Sequence, residues 1–265
     1  MIFMLAGTSD ARELALEIQQ VGYSLLTTVV TESAAGGMQE VGLPVRVGRL
    51  TAEEMAQLIQ TGGYRVLVDA SHPFAEEASK NAIAAAKLAE VPYIRYERAD
   101  SQPFANQMIT VVEDYEQAAD YAAKKGGVVM LTTGSKTLQI FTERLLDQPG
   151  TTLVARMLPR RDNMEKCEEL GLPQRNLIAM QGPFSKELNR ALYEQYGVTL
   201  MITKESGKVG SVDEKIEAAL EMGIETVVIA RPKVEYGTKY SDFSSIIQKL
   251  NETLGGVAHG FSDRV

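Results

Sequence analysis

Short apolar runs alternate with helical segments along almost the whole chain, and this alternation restricts the fold more than any other sequence feature. In the first hundred residues the apolar runs are residues 2–6, 25–30, 45–47, 66–69 and 91–95. Helical periodicity or a helix-start signal follows at residues 9–21, 51–59 and 74–89. Unbroken apolar runs are typical of strands buried on both faces of a parallel sheet. The pattern therefore predicts an α/β fold of the Rossmann kind, with helices flanking a mainly parallel sheet.

The same alternation resumes in the second half, after a less regular stretch at about residues 96–112. Strands are predicted near residues 128–132, 152–156, 177–180, 198–202 and 226–230. Helices are predicted near residues 114–124, 136–145, 163–170, 185–195, 212–222 and 241–253. We therefore expect two Rossmann-like halves, residues 1–100 and 127–254. A hinge region at residues 101–126 is expected to join them, and residues 255–265 to form a loose tail.

Composition limits the partners and the location. The chain has 265 residues, a net charge of −8 and a pI of about 5.0, which argues against nucleic-acid binding but allows a local basic pocket for an anionic small molecule. Cys167 is the only cysteine, so we expect no disulfide framework and no metal site. No apolar run approaches the ~20 residues of a membrane span, and no basic region precedes the first strand as in a signal peptide. We expect a cytoplasmic protein with no membrane and no nucleic-acid partner.

The first strand-to-helix turn has the residues of a phosphate site. Gly7 allows a tight turn and a close approach of the backbone to a ligand, and Thr8 and Ser9 offer hydroxyl groups. The following helix presents unpaired N–H groups and a partial positive charge, which suit a phosphate. The full Gly-x-Gly-x-x-Gly fingerprint is absent. The alternative is that Ser9 or Asp10 only caps the helix.

The end of the second strand is where a Rossmann half meets the adenosine ribose of a dinucleotide. The residues there are Thr31, Glu32 and Ser33. A carboxylate such as that of Glu32 favours a ribose with a free 2′-hydroxyl group, whereas the small hydroxyl residues Thr31 and Ser33 tolerate a 2′-phosphate. The sequence therefore leaves NADH and NADPH both open.

A histidine lies at the turn after the fourth strand, where residues 69–75 read Asp-Ala-Ser-His-Pro-Phe-Ala. Ligands bind at the carboxyl ends of strands in an open parallel sheet, so His72 is placed to donate a hydrogen bond or a proton near neutral pH. Pro73 is expected to fix the first turn of the following helix. The competing interpretation is a purely structural histidine. A hydrolase triad is excluded, because the chain has no Gly-x-Ser-x-Gly elbow.

Basic residues follow four predicted strands of the second half, at one edge of the expected sheet. They are Lys136, Arg156, Lys204 and Arg231. A single lysine or arginine is usually part of the solvated surface, but four at one edge of an acidic chain indicate a pocket for a polyanionic ligand. Arginine in particular pairs with carboxylates in a bidentate manner. Residues 132–136, Thr-Thr-Gly-Ser-Lys, also repeat the strand-to-helix design of the first turn.

The order of these turns resembles the precorrin-6A reductase family of cobalamin biosynthesis, including its cobalt-precorrin-6A form. The motifs are Gly-Thr-Ser-Asp-Ala-Arg at 7–12, Asp-Ala-Ser-His-Pro-Phe-Ala at 69–75, Val-Pro-Tyr at 91–93, Leu-Thr-Thr-Gly at 131–134, Gln-Gly-Pro-Phe-Ser at 181–185, Thr-Lys-Glu-Ser-Gly at 203–207 and Arg-Pro at 231–232. The resemblance extends to about residue 254. The family usually has Ser-Gly-x-x-Gly-Gly in the second half, and Ser211 replaces its last glycine here.

The resemblance implies an enzyme that uses NADPH or NADH to reduce one double bond of an anionic tetrapyrrole. The reaction would convert (cobalt-)precorrin-6A to (cobalt-)precorrin-6B by hydride transfer. The family fold implies two Rossmann-like halves with the macrocycle between them and with strands exchanged between the halves. The N-terminal half would bind the nucleotide, and the C-terminal half would contribute to the tetrapyrrole pocket. Transient contacts with neighbouring enzymes of the pathway are also expected.

These arguments assign roles to individual residues. The catalytic candidate is His72, which would orient the nicotinamide or relay a proton. The cofactor-binding candidates are Gly7, Thr8, Ser9, Asp10, Thr31, Ser33, Ser71, His72 and Pro73. The substrate-binding candidates are Thr133, Gly134, Lys136, Arg156, Ser185, Lys204, Ser206, Gly207 and Arg231.

Three other functions stay open at this point. A short-chain reductase would carry a catalytic Tyr-x-x-x-Lys pair on a helix, and we expect this chain to have no such pair. A tetrapyrrole methyltransferase would show a glycine-rich loop for the methyl donor, which is not evident in the sequence. A non-catalytic nucleotide sensor would bind the cofactor without oxidising it.

Overall fold

The structure is a computed structural model that describes residues 1–98, 106–205 and 213–255. These residues form twelve strands and ten α-helices in two compact units, each built on a six-stranded parallel sheet. The predicted α/β class is confirmed. Among the helices described, none is both long and apolar enough to cross a membrane.

Unit 1 consists of the first 98 residues together with the described residues from 233 onwards. Its strands from the N-terminal part are β1 (Ile2–Leu5), β2 (Leu25–Val29), β3 (Val45–Val47), β4 (Val66–Asp69) and β5 (Tyr93–Tyr96). The helices between them are α1 (Ser9–Gln20), α2 (Glu32–Gln39), α3 (Ala52–Thr61) and α4 (Glu76–Leu88). Helix α3 begins with the capping box that the sequence indicates, in which Thr51 and Glu54 bond each other's backbone N–H groups.

Unit 2 consists of the described residues between 106 and 232. Its strands are β6 (Ile109–Val112), β7 (Gly127–Leu131), β8 (Thr151–Met157), β9 (Leu177–Ala179), β10 (Leu200–Lys204) and β11 (Glu225–Ile229). Its helices are α5 (Tyr115–Lys125), α6 (Leu138–Leu145), α7 (Arg161–Glu169), α8 (Lys186–Tyr196) and α9 (Glu214–Glu221), and a 3₁₀ turn spans Gln174–Asn176. The chain then returns to unit 1 with β12 (Lys239–Tyr240) and α10 (Phe243–Leu254).

The two sheets share one strand order, and in each an edge strand comes from the part of the chain that a simple tandem arrangement would assign to the other sheet. The order is β12-β5-β4-β1-β2-β3 in unit 1 and β6-β11-β10-β7-β8-β9 in unit 2. In two independent tandem halves, β6 would pair with β5 and β12 with β11. Instead β6 pairs with β11, and β12 pairs with β5. The strand exchange implied by the family resemblance is therefore present.

This exchange changes the domain boundaries expected from the sequence. Residues 109–125, within the segment expected to be a hinge, form β6 and α5 of unit 2. Residues 233–254, expected in the C-terminal half, belong to unit 1. The reason is that pairing at a sheet edge is a long-range interaction, so the order of elements along the chain does not decide which sheet an edge strand joins.

Both faces of the unit 1 sheet are covered, because alternate residues of each strand point to opposite sides. Ile2 and Met4 pack with α1 on one face, and Phe3 and Leu5 pack with α3 and α4 on the other. The predicted face of α1 is buried as expected, at Ala11, Leu14, Ala15 and Ile18. The returning helix α10 adds the fully buried Ile246 and Leu250 to that same core.

Three elements are missing from the sequence-based prediction: α2, β6 and β12. Helix α2 contains Gly36 and Gly37, which weaken the helical signal. Strand β6 is only four residues long and lies at an edge, with two of its residues half-buried and Val111 54% exposed. Strand β12 has two residues, which is too short for a periodic pattern.

Replacing Ile246 with alanine should destabilise unit 1, although this residue is close to the C-terminal end of the chain. Removal of a fully buried isoleucine side chain costs about 2–5 kcal/mol of unfolding free energy. Hydrogen-exchange mass spectrometry should therefore show faster exchange in peptides from residues 1–98. Gln248→Ala, an exposed change on the same helix, should stay within about 0.5 kcal/mol of wild type. Faster exchange confined to residues 127–205 would contradict the assignment of α10 to unit 1.

Candidate active site

The central strands of unit 1 define where a ligand can bind. β1 lies between β2 and β4, and Leu5 is in register with Asp69. The chain leaves β1 toward one side of the sheet and β4 toward the other, which makes this the topological switch point of an open α/β sheet. The turns that follow β1 and β4 therefore leave the same edge side by side. They contain Gly7 and His72, so the structure places these two sequence candidates on neighbouring strands.

The turn after β1 fits a phosphate group. Gly7 is exposed and has a φ of +129°, a conformation that other residues rarely adopt, and open space faces its Cα. Ser9 and Asp10 occupy the first turn of α1, where no preceding turn supplies carbonyl partners for their N–H groups. These features provide an uncrowded backbone cradle in front of a helix N-terminus.

The residue that caps α1 is Thr8. The alternative interpretation, in which Ser9 or Asp10 caps this helix, is therefore wrong. The Thr8 hydroxyl accepts a hydrogen bond from the Ala11 N–H at 3.1 Å. Asp10 instead forms an ion pair with Arg98. Ser9 is exposed at the start of the helix, so among these residues it is the side chain best placed to meet a ligand.

At the end of β2, Thr31 also acts as a helix cap. Its hydroxyl accepts a hydrogen bond from the Ala34 N–H at 3.2 Å and thereby starts α2. Glu32 and Ser33 are exposed in the first turn of this helix. Both stay candidates for contact with an adenosine ribose, because both the carboxylate and the small hydroxyl group are accessible.

The histidine turn is held in shape by its own backbone. The His72 Nδ1 accepts a hydrogen bond from the Phe74 N–H at 3.1 Å, and the Ala75 N–H donates to the His72 carbonyl at 2.7 Å. A neutral His72 therefore carries its proton on Nε2. Helix α4 begins only at Glu76, so Pro73 lies in this turn and does not form the first turn of the helix, as the sequence analysis expected. The imidazole is exposed.

Asp69 holds this turn in place through its hydrogen bonds. Its Oδ1 accepts hydrogen bonds from the N–H and hydroxyl groups of Ser71 at 3.0 and 2.6 Å. Its Oδ2 accepts from the hydroxyl groups of Ser79 at 2.7 Å and of Tyr93 at 2.8 Å. The Asp69 side chain is completely buried, and its bonds hold Ser71 at the base of the histidine turn.

Arg95 completes this buried network. Its guanidinium group is fully buried and lies 2.9 Å from both the Asp69 and the Glu97 carboxylates. Burial by itself would lower the pKa of Arg95, but the two carboxylates outweigh it and raise the pKa. The guanidinium also lies over the ring of Tyr236, 4.8 Å from its centroid. Because Tyr236 comes from the returning segment, the network connects the exchanged part of the chain to the histidine turn.

Sequence analysis did not identify Asp69 and Arg95 as site residues. The sequence pattern that could have identified them is the spacing of Tyr93, Arg95 and Glu97. Alternate residues of a strand lie on the same face, so these three polar side chains share one face. Charged residues at alternate positions within an otherwise buried strand indicate a paired network.

The corresponding switch point of unit 2 lies between β7 and β10. The turn after β7 contains Gly134, with a φ of +80°, and the exposed Lys136. The Thr133 hydroxyl is buried and has no hydrogen-bond partner among the described residues. A buried, unpaired hydroxyl is unfavourable, so a bound ligand or water would stabilise this turn.

Lys204 ends β10 in the same region. Burial, followed by the positive charges of Lys136 and Lys215, lowers its pKa to about 8. The structure therefore brings Lys136 and Lys204 close enough for their charges to interact, as the sequence analysis predicted for residues at one sheet edge. Such a concentration of positive charge favours an anionic ligand.

Arg156 lies at the carboxyl end of β8, the strand on the other side of β7. The residue is only 6% exposed, and burial lowers its pKa. Its Nη1 donates a 2.7 Å hydrogen bond to the Oδ1 of Asn189, and its guanidinium group lies 4.0 Å from the centroid of the Phe184 ring. No carboxylate of the described residues forms an ion pair with it.

The other substrate-binding candidates differ in their surroundings. Ser185 caps α8 by accepting a hydrogen bond from the Leu188 N–H at 3.2 Å. Arg231 forms a 3.5 Å ion pair with Glu205, so its charge is partly compensated within the chain. Ser206 and Gly207 lie outside the described residues.

The chain does contain the residue pair that is typical of a short-chain reductase. Tyr121 and Lys125 on α5 have the Tyr-x-x-x-Lys spacing of a short-chain reductase, which the sequence analysis passed over. Both side chains donate hydrogen bonds to Glu225. Glu225 is the first residue of β11, at the amino end of the strand and opposite to the ligand-binding edge. The pair therefore stabilises the packing of α5 against the sheet.

Comparisons with known proteins point to one family. The family model described as "Precorrin-6x reductase CbiJ/CobK" matches residues 1–251. The chain is 61% identical over 254 residues to a cobalt-precorrin-6A reductase of Priestia megaterium, covering 96% of this chain and 99% of that protein. It is 34% identical over 232 residues to a protein of the same name from Salmonella typhimurium, covering 87% of each.

A solved structure supports the fold. The chain superposes on "CobK precorrin-6A reductase" with a TM-score of 0.78, over 98% of this chain and 99% of that one, at 23% sequence identity. The likeness extends over both units, including the returning segment.

Proposed function

The chain belongs to the precorrin-6x reductase family CbiJ/CobK, and from this premise we propose that it reduces cobalt-precorrin-6A to cobalt-precorrin-6B in cobalamin biosynthesis. The relative with 61% identity, whose name specifies the cobalt form, supports that form of the substrate. The single structural observation in favour is the cationic edge of unit 2, where Arg156 is buried and forms no ion pair with a carboxylate of the described residues. A macrocycle that carries many carboxylates is the kind of ligand that such an edge would bind.

The reaction adds two electrons and two protons to one double bond, as a hydride and a proton. A reduced nicotinamide nucleotide, when bound, supplies a hydride to one carbon of the macrocycle, and a proton goes to the neighbouring carbon. The chain's own contribution is to bind and orient the two reactants and to provide the local electric field. Holding them in contact could supply up to roughly 7–11 kcal/mol of the barrier reduction in an ideal case.

The switch point of unit 1 is the proposed nucleotide site. The backbone at Gly7 and the first-turn N–H groups of Ser9 and Asp10 would hold the pyrophosphate. The end of β2, with Thr31 and Ser33, would meet the adenosine ribose. Ser71, His72 and Pro73 would line the nicotinamide end, because their turn leaves the sheet next to the turn that contains Gly7.

His72 is the proposed proton or hydrogen-bond donor of this site. The hydrogen bond from the Phe74 N–H occupies its Nδ1, which leaves Nε2 to carry the proton in the neutral ring. Asp69 fixes the base of the turn through Ser71, so the imidazole is presented from a rigid support. These are the features that a positioned acid or donor requires.

The basic residues of unit 2 would hold substrate carboxylates. Arg156 and Lys204 are the strongest candidates, since Arg156 is buried and Lys204 half-buried and charge-assisted bonds are stronger where water is partly excluded. Lys136 is exposed and contributes less, because surface ion pairs are worth only about 0–1 kcal/mol. The sole cysteine, Cys167, is buried and free, which is compatible with the reducing cytoplasm that we propose as the location.

We expect purified protein to oxidise a reduced nicotinamide nucleotide only when cobalt-precorrin-6A is present. The measurement is an anaerobic absorbance assay with NADH and NADPH in parallel, each with the cobalt-containing and the metal-free substrate. One nucleotide should be consumed for each macrocycle reduced. Nucleotide binding without any oxidation in the four combinations would favour a sensor and contradict the proposed function.

His72→Ala should lower kcat by about 10²–10⁴-fold if the imidazole transfers a proton, with little change in thermal stability because the side chain is exposed. His72→Asn is the matched control, since its side-chain oxygen can still accept the hydrogen bond from the Phe74 N–H. Equal losses in both variants would support proton transfer, whereas normal turnover in His72→Asn would limit the residue to shaping the turn. Unchanged turnover in both would remove His72 from the mechanism.

The affinity for the anionic substrate should fall as the pH rises above 8. The pKa of Lys204 is lowered to about 8, so its positive charge is complete at pH 6.5 and lost as the pH passes this value. At pH 9 about a tenth of this lysine keeps its proton, and KM should rise by about three- to tenfold relative to pH 7. Lys204→Arg keeps its charge throughout, so its KM should be nearly constant over this range. An equal rise in that variant would exclude Lys204 as the origin.

A further inference from the structure

Two buried arginines of this protein are held in opposite ways. Arg95 lies between two carboxylates, which compensate its charge within unit 1. Arg156 is almost as deeply buried, yet its polar partner is the neutral amide of Asn189. Asp213 is a carboxylate that favours the charged form of Arg156, but it forms no ion pair with this arginine and is itself paired with Lys215. Burial of a charge is costly unless it is paired, so a guanidinium group without a direct counter-ion at a ligand-binding edge requires an explanation.

The amide of Asn189 has a defined orientation. Its Nδ2 donates hydrogen bonds to the carbonyl groups of Ser185 at 2.8 Å and of Phe184 at 3.3 Å. Carbonyl groups only accept hydrogen bonds, so the Nδ2 must face them and the Oδ1 must face Arg156. Asn189 is 1% exposed and lies on the first part of α8. It therefore fixes the guanidinium group from a rigid helix.

The remaining side of the guanidinium group has no hydrogen-bond partner among the described residues. Nη1 is held by Asn189, and one face of the group covers the ring of Phe184. Nε and Nη2 donate to no described residue and are not among the buried atoms without a partner, so they keep access to solvent. These two nitrogens form an edge that matches the two oxygens of a carboxylate.

Exposed apolar residues lie at the same strand ends as this cation. Leu158 directly follows β8 and is 43% exposed, and Met180 directly follows β9 and is 36% exposed. The Met180 N–H bonds to the Met157 carbonyl at 3.0 Å, which keeps the two strand ends together. A carboxylate attached to an apolar ring system would find a cation and an apolar surface at the same strand ends.

We propose that Asn189 is a positioning and specificity-determining residue, which holds Arg156 in place for one carboxylate of the macrocycle without neutralising it. The inference rests on the proposed function, because the carboxylate belongs to that substrate. An aspartate of nearly the same shape at this position would neutralise the arginine from within the chain. The amide supplies the same hydrogen-bond acceptor but leaves the positive charge for the ligand.

The test compares Asn189→Asp, Asn189→Ala and wild type by two measurements: steady-state kinetics, and titration with cobalt-precorrin-6A in the absence of nucleotide. Asn189→Asp should raise KM and the substrate Kd by about tenfold or more, the size of one charge-assisted hydrogen bond, with kcat within about twofold. Its melting temperature should change little, because the counter-charge that Arg156 gains offsets the loss of the two hydrogen bonds from Nδ2 to the Ser185 and Phe184 carbonyl groups. A large loss of substrate affinity with little change in kcat and melting temperature is not expected from a merely structural residue.

Asn251→Asp is the matched control, because it makes the same change in charge. Asn251 is on α10 in unit 1, where its Oδ1 accepts a hydrogen bond from the Tyr23 hydroxyl at 2.6 Å, an interaction that aspartate can keep. Its substrate Kd should equal that of wild type.

Asn189→Ala adds no charge and keeps the inference testable if the aspartate variant does not fold. It should also weaken substrate binding, because Arg156 is no longer held. A wild-type substrate Kd in whichever of the two variants folds would overturn the inference. Failure of the proposed function would give a different result, because wild-type protein would then oxidise neither nucleotide in the presence of cobalt-precorrin-6A. The titration without nucleotide would still measure the effect of Asn189 on the substrate Kd.

Discussion

The ion pairs of Arg95 support both the fold of unit 1 and the turn that carries His72. A fully buried guanidinium group is tolerated only when its partners are in place, and here these are Asp69 on β4 and Glu97 just after β5. Loss of one partner of such a pair costs about 3–5 kcal/mol. Asp69 also bonds Ser71, so the same interaction positions the base of the histidine turn.

The returning segment is part of this arrangement. Tyr236 packs under the Arg95 guanidinium, and Lys239 lies 3.6 Å from Glu97. The backbone of β12 pairs with β5 beside them. Residues more than 130 positions apart along the chain therefore have to meet before the buried charges of the site are satisfied. The strand exchange therefore contributes residues that contact the buried charges of the site, in addition to determining the topology.

The contrast between Arg95 and Arg156 separates structure from binding. Both arginines follow the general pattern of a cation near the carboxyl end of a parallel strand, and sequence alone does not distinguish them. Their partners distinguish them. Two carboxylates form ion pairs with Arg95 and make it part of the framework, whereas Arg156 contacts an amide and an aromatic ring and forms no ion pair with a carboxylate of the described residues. Arg231 is intermediate, since Glu205 lies 3.5 Å from it.

The sequence by itself determined the parallel α/β class, most strand and helix positions, and the fact that Gly7 and His72 in unit 1 and the basic residues in unit 2 each lie at or just after the carboxyl ends of parallel strands. These follow from local periodicity and from the rule that parallel strands end at one edge. It did not reveal α2, whose two glycines weaken its pattern, or the short edge strands β6 and β12. Only the tertiary structure decided which sheet each edge strand joins, and which buried charges are neutralised. Both depend on contacts between residues far apart in the chain, and no local pattern of residues encodes such contacts.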